Sequence, residues 1–439
     1  MKTAPFALAV TLSFAALLAG PGLPGAAITP AFAQESALPG LRGAARSAPA
    51  DPAAALALGS ALRRAGLATP ALAELRRGIA VSGGRVEVLS RLHWEVARAL
   101  IDRRDFAATL TECRVLGTLP GQGADGHACA AEAHLLWQRS TEALVEVGLA
   151  LAKDPGCYEA RLAEGRAYDF ALDPGKSEAA FRAAAALRGD GVEAYLGLGR
   201  LLAHAGRHDE AVAQLRRAVA LDPDGPDALY ELGLALAPGA ESVALLDHAT
   251  RERPSFADAW IALGELQLAA GQVAEARKAG VAAVVADAAG VRPQLLVGHV
   301  ALADGRFEDA VAAGEAALKR VANSAPARLL VADGDAKRGE IDLALEAYQG
   351  AWGLDHSDPT PLVHACEASH AAGRETTAKA FGVKSVQEFP KWGPAWAALG
   401  DTLAAQGEPA GARDAYQRAL AGEGPVDGAR VQRKLASLR

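Results

Sequence analysis

The sequence predicts an all-α solenoid of about eleven helix-turn-helix units ending in a carboxy-terminal capping helix. Three observations predict it: a 34-residue period, apolar residues three and four apart within each half-period, and helix breakers between the halves. The period is carried by small residues at Gly59, Ala97, Ala131, Gly165, Gly199, Gly233, Gly264, Gly298, Ala332, Cys366 and Gly400. Their spacing is 34 residues, apart from one step of 38 and one of 31. The long step implies an insertion near Val86–Leu89, and the short one a deletion around Pro238 and Gly239.

One unit, from Val192 to Gly225, justifies the elements. Tyr195, Leu198, Gly199 and Leu202 share one helical face. Gly206 breaks that helix, because glycine takes the left-handed conformation that caps a helix at no steric cost. Ala211, Leu215, Ala218 and Leu221 then line a second helix, which Asp222-Pro223 ends, since proline cannot continue the hydrogen-bond ladder. Small residues recur where helices cross, and larger side chains there would overpack the array at roughly 1–3 kcal/mol each.

The ends read differently. Lys2, the apolar run Phe6–Ala19, and breakers at Gly20, Pro21, Pro24 and Gly25 form an export signal over residues 1–33. Cleavage follows Ala33, or alternatively Ala27. The run is shorter than the ~20 residues that span a bilayer. Residues 34–51 read as a flexible linker, 52–426 as the repeat array and 427–439 as the cap. In the cap, Val431, Leu435 and Leu438 are expected to cover the last unit while Arg430, Arg433 and Lys434 face water.

The repeat resembles the tetratricopeptide family. Trp260-Ile261-Ala262-Leu263-Gly264 and Trp396-Ala397-Ala398-Leu399-Gly400 carry the family's opening. Its second-helix small residue falls on Ala71, Ala143, Ala211, Ala276, Ala310, Ala344, Ala378 and Ala412, and its closing proline on Pro155, Pro223, Pro254 and Pro390. Thr109, Leu116 and Cys366 depart from the pattern. The resemblance implies a right-handed superhelical solenoid with first helices lining a groove, and protein or peptide partners rather than catalysis.

Chemical motifs are weak. Gly121–Gly126 fits G-x-G-x-x-G but follows a helix rather than a strand. His127, Cys129 and His134, like His364, Cys366 and His370, make no closed ligand set, so neither a metal nor a cofactor is expected. The mildly acidic charge argues against nucleic acid, and no later segment is apolar enough to cross a membrane. Cys113 falls in the second helix of one unit and Cys129 in the first helix of the next. That makes them a candidate disulfide, the alternative being two buried free thiols.

By the resemblance, the fifth and ninth positions of each unit face the groove. The fifth positions, including Trp94, Leu162, Leu196 and Tyr230, are all apolar. They form either a docking floor or packing against neighbouring helices. The ninth positions run from arginine (Arg98, Arg166, Arg200) to Glu265, His299, Asp333, Glu367 and Asp401. The carboxy-terminal half also carries most of the acidic excess. These positions give either a polarised binding groove or a solvated face. The lone asparagine, Asn323, falls between units, so the paired Asn and Lys with which some relatives clamp a carboxylate are absent. The expected function is a non-enzymatic scaffold or adaptor in the bacterial envelope, periplasmic, that supports a secretion, polysaccharide-export, pilus or gliding machine. The alternative is a subunit presenting substrate to a separate glycan- or peptidoglycan-modifying enzyme.

Overall fold

The computed structural model describes residues 38–438, all helix, turn and loop apart from one isolated β-bridge between Trp392 and Glu423. The expected export signal lies outside the described residues. Two compact bodies divide the chain, one ending at Leu266 and the other beginning at Gln267.

The first body opens with α1 (Leu38–Ser47). This corrects the expected linker. Leu38, Leu41 and Ala45 fall on one face and pack against Leu58, Leu62 and Ala65, burial that random coil would forgo. Helix pairs follow: α2 (Pro52–Arg64) with α3 (Ala68–Val81), α4 (Val86–Asp102) with α5 (Phe106–Thr118), and α6 (Gly123–Leu136) with α7 (Ser140–Lys153). Next come α8 (Tyr158–Phe170) with α9 (Pro174–Leu187), α10 (Val192–His204) with α11 (His208–Leu221), and α12 (Pro226–Ala235) with α13 (Ala240–Glu252). Helix α14 (Ala257–Ala269) runs across the division between the bodies. The inserted residues near Val86 lengthen α4 to 17 residues, and the deletion shortens α12 to 10.

The second body holds α15 (Val273–Ala286), then α16 (Val291–Ala303) with α17 (Phe307–Arg320), and α18 (Ala325–Arg338) with α19 (Ile341–Leu354). It ends with α20 (Thr360–Ala371) and α21 (Glu375–Glu388), α22 (Gly393–Ala405) and α23 (Pro409–Ala421), and the cap α24 (Gly428–Ser437). From α2 to α23 the described chain therefore contains eleven helix pairs. The departures from the pattern fit: Thr109 is buried with its hydroxyl donating to the Asp105 carbonyl, and the buried Cys366 thiol meets the Thr402 hydroxyl at 3.6 Å.

The repeated residues explain the packing. Leu75, Leu215 and Leu246 occupy equivalent second-helix sites and fill the space over Gly59, Gly199 and Gly233. Each such burial contributes about 2 kcal/mol. The Trp260 and Trp396 indoles donate to the carbonyls of Pro254 and Pro390, tying each opening helix to the loop before it. Cys113 of α5 and Cys129 of α6 are joined as a disulfide, with 5.3 Å between Cα atoms. This settles the pairing in favour of the bridge.

Candidate interaction surface

First helices of neighbouring pairs pack on one another, α6 on α8 and α20 on α22 among them, whereas second helices do not pack to that extent. Within each body the first helices therefore line the more closely packed inner side. The ninth positions stand on these helices.

In the first body the inner arginines already have carboxylate partners. Arg166 lies 2.7 Å from the buried Glu132, and Arg200 lies 2.7 Å from Glu231. Arg98 meets Glu95 at 3.4 Å and Glu193 of α10 at 3.6 Å, with its guanidinium over the Trp94 ring. Arg63 joins the same cluster, 3.0 Å from Glu95 and 3.6 Å from Asp102. Burial opposes the charge on Glu95, but Arg63 and Arg98 outweigh it and hold the carboxyl below its usual range. Glu193 shows the same balance, with Arg98 as the largest favourable influence.

The row of helices in this body bends until its beginning meets its end. Arg253 donates to the Arg64 carbonyl at 2.8 Å and forks onto both oxygens of Asp227 at 2.9 and 2.6 Å. Arg64 reaches Asp222 at 3.6 Å. At Gly66, which has φ +76°, any side chain would strike the Ser255 hydroxyl. The turn of the first pair is thus clasped to the loop after the sixth.

The inner side of the second body is built differently. Asp333 accepts from the Tyr348 hydroxyl at 2.7 Å and meets His364 Nδ1 at 2.8 Å. Asp401 accepts from Tyr416 at 2.7 Å, in the same register. Arg430 and Lys434 of the cap, expected to face water, each reach Asp401 at 2.6 Å. A buried-side carboxylate outcompetes water for them because it lacks other cationic partners. Glu367 and His299 are exposed and make no ion pair among the described residues. Glu367, His370, Ala398, Asp401 and Arg430 surround a pocket of about 210 Å³.

The apolar floor resolves towards packing. Trp94 and Leu162 are buried, Leu196 is half-buried, and Tyr230 packs on Phe256 with ring centroids 4.8 Å apart. Glu265 is exposed. Sequence reasoning missed Glu95 and Glu193 as partners of Arg98. The i−3 spacing of Glu95 was available as a signal, whereas Glu193 arrives only through the bending of the body.

The histidine and cysteine sets do not converge. Cys129 is bridged, His127 pairs with Glu146, and His370 pairs with Glu375. Two other sets of three ligand atoms lie close together among the described residues: Asp125, Cys157 and Glu159, and Asp224, His248 and Glu252. In the first, burial pushes the Cys157 thiol up to about 12 and Asp125 up to about 6, and Arg188 occupies Glu159 at 2.6 Å. A protonated thiol is a poor ligand. In the second, His248 Nε2 lies 3.2 Å from Asp224 and 3.7 Å from Glu252, the geometry of ion pairs.

Family models match three stretches of this array. One, described as a TPR repeat, covers residues 199–237; another, described as a tetratricopeptide repeat, covers 239–291 and 389–429. The chain is a tetratricopeptide-repeat protein. No curated protein matches the sequence. Among solved structures, this tetratricopeptide-repeat chain is similar to yeast Tom70, at 12% identity, covering 88% of this chain and 95% of that one, with a TM-score of 0.46. It is also similar to pilF of Pseudomonas aeruginosa (18% identity, 47% and 95% covered, TM-score 0.43) and to PilW, a type IV pilus biogenesis factor (21% identity, 47% and 98% covered, TM-score 0.43). Likeness at this level carries neither partner nor process to this tetratricopeptide-repeat protein.

Proposed function

We propose that the protein is a non-enzymatic interaction scaffold of the bacterial envelope whose second body holds a basic, extended segment of another protein along its inner side. The contrast between the two bodies carries this reading. The inner arginines of the first body are each matched by a carboxylate of the same body, so an acidic partner would have to displace them. In the second body Glu367 is exposed and makes no ion pair among the described residues, and it lines a pocket with His370, Asp401 and Arg430. Glu367 can take a lysine or arginine side chain without first breaking an ion pair, and such a charge orients an incoming segment. The export signal read from the sequence and the Cys113–Cys129 bridge both support an oxidising compartment outside the cytoplasm. Within the envelope, assembly of a secretion, polysaccharide-export, pilus or gliding machine is the class of task proposed.

The test is titration of a labelled peptide alternating Lys with Leu against the mature chain. Saturable binding that weakens at least tenfold in Glu367→Gln, and falls with added salt, is expected. Absence of binding, or equal binding by the variant, overturns the reading of the surface. Recovery of the native protein in the cytoplasmic fraction overturns the location.

A further inference from the structure

The tight turn closes in the same way in every pair except the sixth, where the deletion leaves no left-handed residue between α12 and α13. The second residue after the first helix (the first, Gly339, after α18) takes positive φ, and its amide and the next one donate back into the helix. Thus Gly206 N donates to the Ala203 carbonyl and Arg207 N to that of Leu202. Glycine holds this position in the first pair and the fifth, as Gly66 and Gly206, and again from Gly271 through Gly407. Three successive pairs break the rule. Arg104, Gln138 and Leu172 stand there with φ of 56°, 56° and 57°, making the same backbone hydrogen bonds. Non-glycine residues are strained in this conformation, and they persist where the surrounding structure or a function retains them.

These turns display large apolar side chains. Leu172 is 88% exposed, Phe170 55% and Trp137 39%. Trp137 stacks on Phe106 of the preceding pair at 5.1 Å between centroids, and the Arg139 guanidinium lies 5.6 Å from the centroid of the same ring. Helices α4, α6 and α8 pack in succession, so the turns that end them stand side by side along one edge of the first body. Arg103, Arg104 and Arg139 rise from the same edge, and none has a carboxylate at ion-pair distance among the described residues. Arginines on the inner side of this body, by contrast, are paired.

We propose that this turn edge is a second docking surface, separate from the inner sides, and that its occupant is an acidic protein segment carrying apolar side chains. Trp137, Phe170 and Leu172 supply the apolar anchors. Arg103, Arg104 and Arg139, which make no ion pair with the neighbouring Asp102, Asp105, Asp169 and Asp173, supply forked donors for the carboxylates of a partner. Tryptophan and arginine are the residue types most enriched at binding hot spots. The three strained positions follow from this use: glycine would relax the turn but present nothing to a partner.

The strain also makes the test clean. Leu172→Gly and Arg104→Gly remove the contacts while easing the backbone, so the double variant is expected to melt no lower than the parent. The probe is a labelled peptide alternating Glu with Leu and Phe, measured by fluorescence anisotropy, with a matched peptide carrying Lys for Glu. The expected result is saturable binding of the acidic peptide, at least tenfold weaker in the double variant and unchanged in Glu367→Gln. Four results would overturn the proposal: no saturable binding, equal binding of the Lys peptide to this edge, binding untouched by the double variant, or an edge that instead serves self-association or phosphatidylglycerol vesicles in a Leu172-dependent way.

Discussion

Arg98 on α4 reaches Glu193 on α10, three pairs further along the chain, at 3.6 Å. The contact crosses the inner side of the first body and belongs to the same closure as the clasp of Arg253 on Arg64 and Asp227. Replacing Arg98 by Ala leaves Glu95 and Glu193 without their shared cation in a partly buried setting. Removing one partner of a buried pair is costly, and with Arg98 about a quarter exposed the expected loss is roughly 2–3 kcal/mol. Adding Glu193→Ala should recover part of it, with a coupling of about 1 kcal/mol in a urea-denaturation cycle. A loss below about 0.5 kcal/mol would mean the contact is cosmetic.

Charge reversal at the other inner arginines should divide by burial. Arg166→Glu sets a carboxylate against Glu132, which is almost fully buried, and should cost about 2–4 kcal/mol. Arg200→Glu faces Glu231 at a more open site and should cost about 1 kcal/mol. Glu132→Gln added to Arg166→Glu should restore most of the lost melting temperature. Equal melting of the two single variants would contradict this account.

Acid should attack the first body through the same groups. Glu95, Glu193 and Asp227 all have pKa values depressed in the fold: burial opposes their charge, and neighbouring arginines outweigh it. A carboxylate with a lowered folded pKa stabilises fully above its unfolded pKa, about 4. That stabilisation is lost as pH falls through the folded value. The stabilisation from these three groups should therefore be constant from pH 6 to 8, and the melting temperature should drop below about pH 4. Glu95→Gln should start lower and fall less steeply, as differential scanning calorimetry would show.

Two helical glycines offer a packing contrast. A methyl group at Gly126 of α6 would overlap the Gly117 backbone of α5, with the Gly117 nitrogen 2.8 Å away. At Gly280 of α15 the nearest atom is a Val297 methyl at 3.4 Å, ordinary contact. Gly126→Ala should cost on the order of 3 kcal/mol through forced backbone movement. Gly280→Ala should gain about 0.5–1 kcal/mol from helix propensity. Thermal melts of the two variants moving in the same direction would refute the assignment of close backbone approach at α5–α6.

The repeat was legible because its signals are local. Gly206, Leu215 and Pro223 fix a turn, a crossing and a stop by conformational preference alone, and 34-residue recurrence multiplies that evidence. The helix over Leu38–Ser47 was misread as linker because its composition, rich in Gly and Arg, hides a short apolar stripe that gains value only against Leu58 and Leu62. The candidate site was less legible. Trp94 and Leu162 had the apolar character of a floor, but burial depends on neighbouring helices that the register does not reveal.

The sequence by itself determined the helix pairs, their number and their order, because each depends on propensities and spacings within one or two repeats, and it offered Cys113 and Cys129 as a bridge that the structure then closed. Only the tertiary structure decided which charges are free. Arg98, Arg166 and Arg200 look alike at their shared register, and so do Asp333, Glu367 and Asp401. What separates Arg98 from an open binding residue is the approach of α10, and what separates Asp401 from Glu367 is the docking of α24. Electrostatic partnership is set by distance in space, and small rotations accumulated from pair to pair bring remote residues together in a way no local pattern encodes.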